Sequence, residues 1–253
     1  MATVRKLVAG NWKMNGLSDQ IVEAVKVAES LAHTPAGVRV AICPPNILVH
    51  RIAERLARTV VEVGAQDLHC EAAGAYTGDT SGEMLRDAGA RLVIIGHSER
   101  RAHHREDDAA VSAKVTAALR AGLEPIICVG ESLEERQGGR ALEVVQSQLA
   151  GSLPDSLDGR AFVIAYEPVW AIGTGLTPTL PEIEEVHRAI RKALVARFSN
   201  GAARPILYGG SVKPANAAEI LNADEVGGAL VGGASLKATD FLPIVRAGTE
   251  PRA

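Results

Sequence analysis

The chain has 253 residues, a formal net charge of −3 and 47% hydrophobic residues, enough to bury the core of one large α/β domain. Only 3% of residues are aromatic and Lys+Arg (27) do not exceed Asp+Glu (30), so neither a basic stripe nor stacking platforms for nucleic acid are present. Cys43, Cys70 and Cys128 share no paired or finger-like spacing, which argues against a disulfide framework or structural zinc and for a reducing compartment.

In chain order, short apolar, β-branched runs alternate with longer segments of helical period. Expected strands are Leu7 to Ala9, Val38 to Cys43, Val60 to Ala65, Leu92 to Ile95, Pro125 to Val129, Phe162 to Tyr166, Ile206 to Tyr208 and Gly228 to Val231. Between them, Asp19 to Ala32, Asp107 to Arg120, Glu182 to Arg197 and Ala215 to Asn222 carry apolar residues three and four apart. The count is eight strands and eight helices, about 32 residues per βα unit, in a single domain spanning 1–253. Near-continuous apolar strands such as Leu92-Val93-Ile94-Ile95 fit a parallel sheet covered on both faces. The start of the chain has too short an apolar run for a signal peptide, and no stretch reaches membrane-spanning length, so a cytoplasmic protein is expected.

Polar and glycine-rich clusters recur just after the strands, and carboxyl ends of parallel strands share one face. Periodicity alone leaves a doubly wound open sheet possible. Strands lie about 4.8 Å apart, however, so an open eight-stranded sheet would scatter these groups, whereas a closed barrel gathers them at one mouth.

Five blocks are specific: Asn11-Trp12-Lys13; Gly96-His97-Ser98-Glu99-Arg100-Arg101; Ala165 to Gly175, reading AYEPVWAIGTG; Tyr208-Gly209-Gly210-Ser211-Val212; and Leu230 to Leu236, reading LVGGASL. In order and over essentially the whole chain, they resemble the triosephosphate isomerase family. The resemblance implies a (β/α)8 barrel that interconverts dihydroxyacetone phosphate and glyceraldehyde 3-phosphate in glycolysis and gluconeogenesis, without metal or organic cofactor.

It further implies Glu167 as the base and His97 as a neutral imidazole whose pKa is held down by a helix amino terminus. Lys13 supplies fixed positive charge, Asn11 orients substrate and Lys13, and Glu99 supports or handles protons. These types suit the chemistry, because moving a proton between adjacent carbons of a hydroxy-ketone needs a base and electrophiles for the carbonyl oxygen. Gly173, Ser211, Gly232 and Gly233 offer main-chain N–H groups to the substrate phosphate, and no nucleotide P-loop occurs. Pro168 to Gly175 suits a hinged lid. The stretch Gln66 to Thr80, long for a compact domain, is implied to dock into a second subunit beside Asn11 and Lys13, giving a homodimer.

Taken singly, each residue has a plainer reading: Glu167 as a solvated loop acid, Lys13 as a surface lysine, Asn11 and Ser211 as turn formers. Joint placement at strand ends reverses those readings. His103-His104 and His69-Cys70 lack metal-ligand spacing, Trp12, Trp170 and Cys128 read as packing groups, and Arg105-Glu106-Asp107-Asp108 reads as a solvated helix start. Leu176 at the lid's exit, His103-His104-Arg105 and Asp67-Leu68-His69-Cys70 depart from the usual family pattern. Rival functions are a sugar-phosphate epimerase, a Schiff-base aldolase, which would need an amine where Glu167 stands, and a catalytically silent sugar-phosphate sensor.

Overall fold

The computed structural model describes residues 5–33, 37–173 and 176–249. Eight strands run β1 (Leu7–Asn11), β2 (Arg39–Cys43), β3 (Val61–Ala65), β4 (Leu92–Ile95), β5 (Glu124–Val129), β6 (Val163–Tyr166), β7 (Ile206–Tyr208) and β8 (Gly228–Val231). All neighbours are parallel and in sequence order, and β1 pairs with both β2 and β8, so the sheet is a closed barrel. Closure removes the open-sheet alternative.

Side chains alternate across the barrel wall. Leu7, Ala9, Ala41, Cys43, Leu92, Ile94, Ile126, Cys128, Val163, Ala165, Leu207 and Leu230 form a separate interior cluster. Their neighbours in the strands, including Val8, Ile42, Val93, Ile127 and Ile164, pack outward against the helices. This two-sided burial is why the strands read as unbroken apolar runs. At the end of the barrel away from the polar clusters, the first residues of two strands meet in an ion cluster. Arg39 holds Glu62 through two bonds of 2.9 and 3.1 Å and Glu124 through bonds of 3.1 and 2.5 Å.

The helices are α1 (Ile21–His33), α2 (Asn46–Leu56), α3 (Gly82–Asp87), α4 (Ser98–His104), α5 (Asp108–Arg120), α6 (Leu133–Gln137), α7 (Ala141–Ser152), α8 (Leu180–Arg197), α9 (Ala217–Asn222) and α10 (Ala238–Ala247). The two beyond the expected eight are α4 and α6, which lie in the loops after β4 and β5. Neither buries a residue, so neither has an apolar period to betray it. Helix starts follow local chemistry: Asp107 accepts from Ala110 N–H, while Ser132 with Glu135 and Thr179 with Glu182 form reciprocal capping boxes.

The run after His104 does start a helix, α5, but it is not solvated throughout. Glu106 is buried and accepts from Arg100 Nε and Lys114 Nζ, each at 2.6 Å, and Asp108 accepts from Arg101 at 2.7 Å, leaving Asp107 as the cap. Arg105 takes φ +56, the left-handed conformation that favours glycine. No helix among the described residues is long and apolar enough to cross a membrane.

Candidate active site

The strand ends deliver the polar clusters to one mouth. Asn11 is the last residue of β1, His97 caps α4 just beyond β4, and Glu167 follows β6 directly. A cavity of about 290 Å³ is lined by Asn11, Lys13, His97, Glu167, Gly173, Ser211, Gly232 and Gly233, together with Ile172 and Leu230. Glu99 faces an adjoining cavity that shares Asn11, Lys13 and His97 as its wall.

Several local devices aim these groups. Lys13 has φ +52, a left-handed conformation costly for a residue with a Cβ, and its N–H donates to Asn11 Oδ1 at 2.9 Å. The Lys13 carbonyl is gripped by Gln66 Nε2, also at 2.9 Å, and its ammonium pairs with Glu99 Oε1 at 2.5 Å. The backbone of Glu167 lies against Gly130, where any Cβ would come within 1.7 Å of the Glu167 carbonyl oxygen. Only glycine at 130 lets β6 deliver its glutamate there.

Glu167 is 1% exposed. Its Oε1 lies 2.9 Å from His97 Nε2 and its Oε2 accepts from Ser98 N–H at 3.0 Å. Burial pushes its pKa up, but the His97 charge and hydrogen bonds from His97, Ser98 and the Cys128 thiol outweigh burial and hold it below the usual carboxylate value. Cys128, expected as a buried packing group, therefore also touches the candidate base.

For His97 the direction differs from that expected. Burial works to lower its pKa, yet the Glu167 and Glu99 carboxylates overcome it and set it above the ordinary imidazole value. The helix amino terminus acts instead on the tautomer. Glu99 N–H donates to His97 Nδ1 at 3.2 Å, so in the neutral ring the proton resides on Nε2, facing Glu167.

Residues 169–171 of the candidate lid form a short 3-10 turn. Its indole, Trp170 Nε1, donates to Glu131 Oε1 at 2.9 Å, so Trp170 is more than a packing group. Glu131 has no exposed surface and also accepts from Tyr166 Oη and Arg136 Nε, each at 3.1 Å. Sequence reasoning passes over Glu131, since an acid after a strand carries no mark of the three partners that permit its burial. Thr174 and Gly175 lie outside the described residues, while Leu176 is about half exposed.

The long loop is fixed at its base and open at its tip. Asp67 takes Lys114 at 2.6 Å and Arg100 at 2.8 Å, Leu68 is buried, and His69 N–H donates to Thr80 at 2.9 Å. Residues 71–79 are exposed, with Tyr76 against the His69 ring at 4.0 Å.

Comparison with known proteins agrees with this architecture. The family profile described as triosephosphate isomerase matches residues 6–248. The triosephosphate isomerase of Ruegeria sp. (strain TM1040) is 58% identical over 96% of this chain and 98% of its own length, and that of Caulobacter vibrioides is 57% identical over 97% of each. The crystal structure of triosephosphate isomerase from Bartonella henselae superposes with a TM-score of 0.91 at 46% identity, covering 98% of this chain and 100% of that one. A full-length match at such identity, on a closed eight-stranded barrel, places the chain in the triosephosphate isomerase family.

Proposed function

We propose that this chain interconverts dihydroxyacetone phosphate and D-glyceraldehyde 3-phosphate through an enediolate, with Glu167 moving the proton. The observation that carries this reading is the shared cavity, in which Glu167 and His97 stand 2.9 Å apart beside Lys13.

A carbon acid beside a carbonyl is weaker than a carboxylic acid by roughly ten pKa units or more, so proton removal to a carboxylate is about 14 kcal/mol uphill unless the oxyanion is stabilised. Each donor placed where that charge develops contributes about 3 to 4 kcal/mol in a site closed to water. His97 Nε2–H and the Lys13 ammonium are the two donors. Once the Glu167 carboxylate turns from His97 toward the substrate carbon, its upward pull on the imidazole pKa weakens. Asn11 holds Lys13 in its unusual backbone turn, and Glu99 pairs with Lys13 and fixes the His97 tautomer through its N–H.

Gly173, Ser211, Gly232 and Gly233, in the wall of the same cavity as Glu167, are the proposed phosphate grip. The segment from Pro168 to Gly175 is the proposed lid, excluding water while the enediolate persists. A coupled assay of purified protein with glyceraldehyde 3-phosphate tests the reaction: turnover without added metal or organic cofactor is expected, and its absence overturns the proposal.

The same reading makes the active protein a cytoplasmic homodimer of one-domain subunits, joined through the loop from Gln66 to Thr80. Supporting it, Met14, Ile47 and Met84 are 96%, 83% and 57% exposed and Tyr76 is 45% exposed. Apolar groups this open belong to segments flanking the loop tip and the cavity beside Lys13, where a second copy covers them.

A further inference from the structure

The helix that carries the candidate electrophile has no apolar hold on the barrel. None of its seven residues, Ser98–His104, is buried. Its ties are polar: Glu99 pairs with Lys13, Arg100 with Asp67 and Glu106, and Arg101 alone among them reaches beneath the helix to β5 and α7. From the fourth position of α4 its guanidinium reaches back under the site. Nε donates to the Gly96 carbonyl at 3.1 Å, and Nη2 donates to the Cys128 carbonyl on β5 at 3.4 Å and to Ser152 Oγ on α7 at 2.9 Å. Nη1 donates to Asp108 Oδ1 at the start of α5 at 2.7 Å, and Ser152 Oγ in turn donates to that same oxygen at 2.9 Å.

The Gly96 carbonyl belongs to the peptide that precedes His97, at a residue with φ +67. That peptide's tilt sets where the imidazole points. The chain leaves β4 through a left-handed turn there, and apart from the backbone bonds of α4 onto the His97 carbonyl, Arg101 supplies the side-chain contact that orients it. The second carbonyl held, that of Cys128, belongs to the residue whose thiol meets Glu167.

We propose that Arg101 is a positioning residue for the reaction, holding the Gly96–His97 peptide so that Nε2 of His97 stays on the site of the developing oxyanion. The inference rests on the isomerase reading and on His97 as its electrophile. A fork of donors in fixed planar geometry is required, because four acceptors on four elements must be met at once, and a lysine ammonium at the same position cannot span them.

The test is kcat and KM for wild type, Arg101→Lys and Arg101→Ala, each also in a His97→Gln background, with circular dichroism giving the folded fraction. Arg101→Lys is expected to lower kcat per folded molecule by about 10- to 100-fold with KM within about threefold, as displacement of a reacting group does. In the His97→Gln background the same change is expected to cost under about threefold, since the interaction it acts through is already gone. Guanidinium ion in the buffer is expected to recover part of the kcat of Arg101→Ala. A kcat within about twofold of wild type, or an equal loss in both backgrounds, overturns the proposal. Should neither Arg101 variant fold, Ser152→Ala loosens the guanidinium from its far side. A kcat loss that vanishes in the His97→Gln background then supports the role, and unchanged kcat overturns it. Wild-type protein without isomerase activity sinks the functional reading itself, whereas active wild type with indifferent Arg101 variants sinks only this inference.

Discussion

Glu167 illustrates how a fully enclosed acid is kept ionised. The contacts with His97, Ser98 N–H and Cys128 outweigh burial, so the base is available at neutral pH. Replacing it with Gln keeps the shape and removes the proton acceptor. Glu167→Gln is expected to lower kcat by about 10³-fold or more with a modest change in KM, measured by steady-state kinetics on both triose phosphates. A second enclosed group has the opposite setting. His187 on α8 has no exposed surface, and its Nδ1 lies 3.3 Å from the Glu225 carbonyl, which can only accept, so Nδ1 carries the proton of a neutral ring. Burial drives its pKa down from 6.5 to about 4. The unfolded chain therefore binds the extra proton first as pH falls, and the stability contributed by neutral His187 is full above about pH 6.5 and lost progressively toward pH 4. The loss amounts to about 3 kcal/mol over that window. Denaturant melts at pH 7 and pH 4.5 check it: His187→Asn is expected to flatten the decline, and an unchanged slope would refute the assignment.

Among the elements, legibility followed burial. The eight strands and the four helices given bounds, α1, α5, α8 and α9, stand within two residues of them, because each buries an apolar stripe that the sequence displays. β4, for example, is Leu92–Ile95 both in pattern and in fold. The short helices α4 and α6 bury nothing, and the Glu106 and Glu131 networks depend on arginines and a tryptophan from other segments, which no local pattern encodes. The candidate catalytic residues were readable because the five blocks are contiguous motifs. Arg101 stood in plain view inside one of them, but its role emerges only when β4, β5, α5 and α7 are brought around it. The loop from Gln66 to Thr80 is an element of a different kind, tied down by Asp67 and Leu68 while its tip stays open. Deleting residues 71–76 is expected to yield a folded monomer with poor activity by sedimentation velocity and coupled assay, and a persisting dimer would refute the proposed interface.

For the whole molecule, the barrel separates what holds it shut from what it does. The Arg39, Glu62 and Glu124 cluster joins residues at the starts of β2 and β5, while the cavity lies beyond the strand ends. Arg39→Met would leave two carboxylates facing one another in a half-buried floor. A loss of about 3 kcal/mol in unfolding free energy is expected, with kcat per folded molecule within about twofold of wild type. Chemical denaturation beside the coupled assay separates the two, and a collapse of kcat would show that floor and mouth are coupled.

The ring is joined by β1 pairing with β8, from Leu7 opposite Gly228 to Gly10 opposite Val231. During translation, then, β1 must wait until β8 has been made before it gains its second neighbour. Partial products that end before β8 expose two unsatisfied ribbon edges, a template for polymerising with one another. The workable form appears in one late step, when tail meets head.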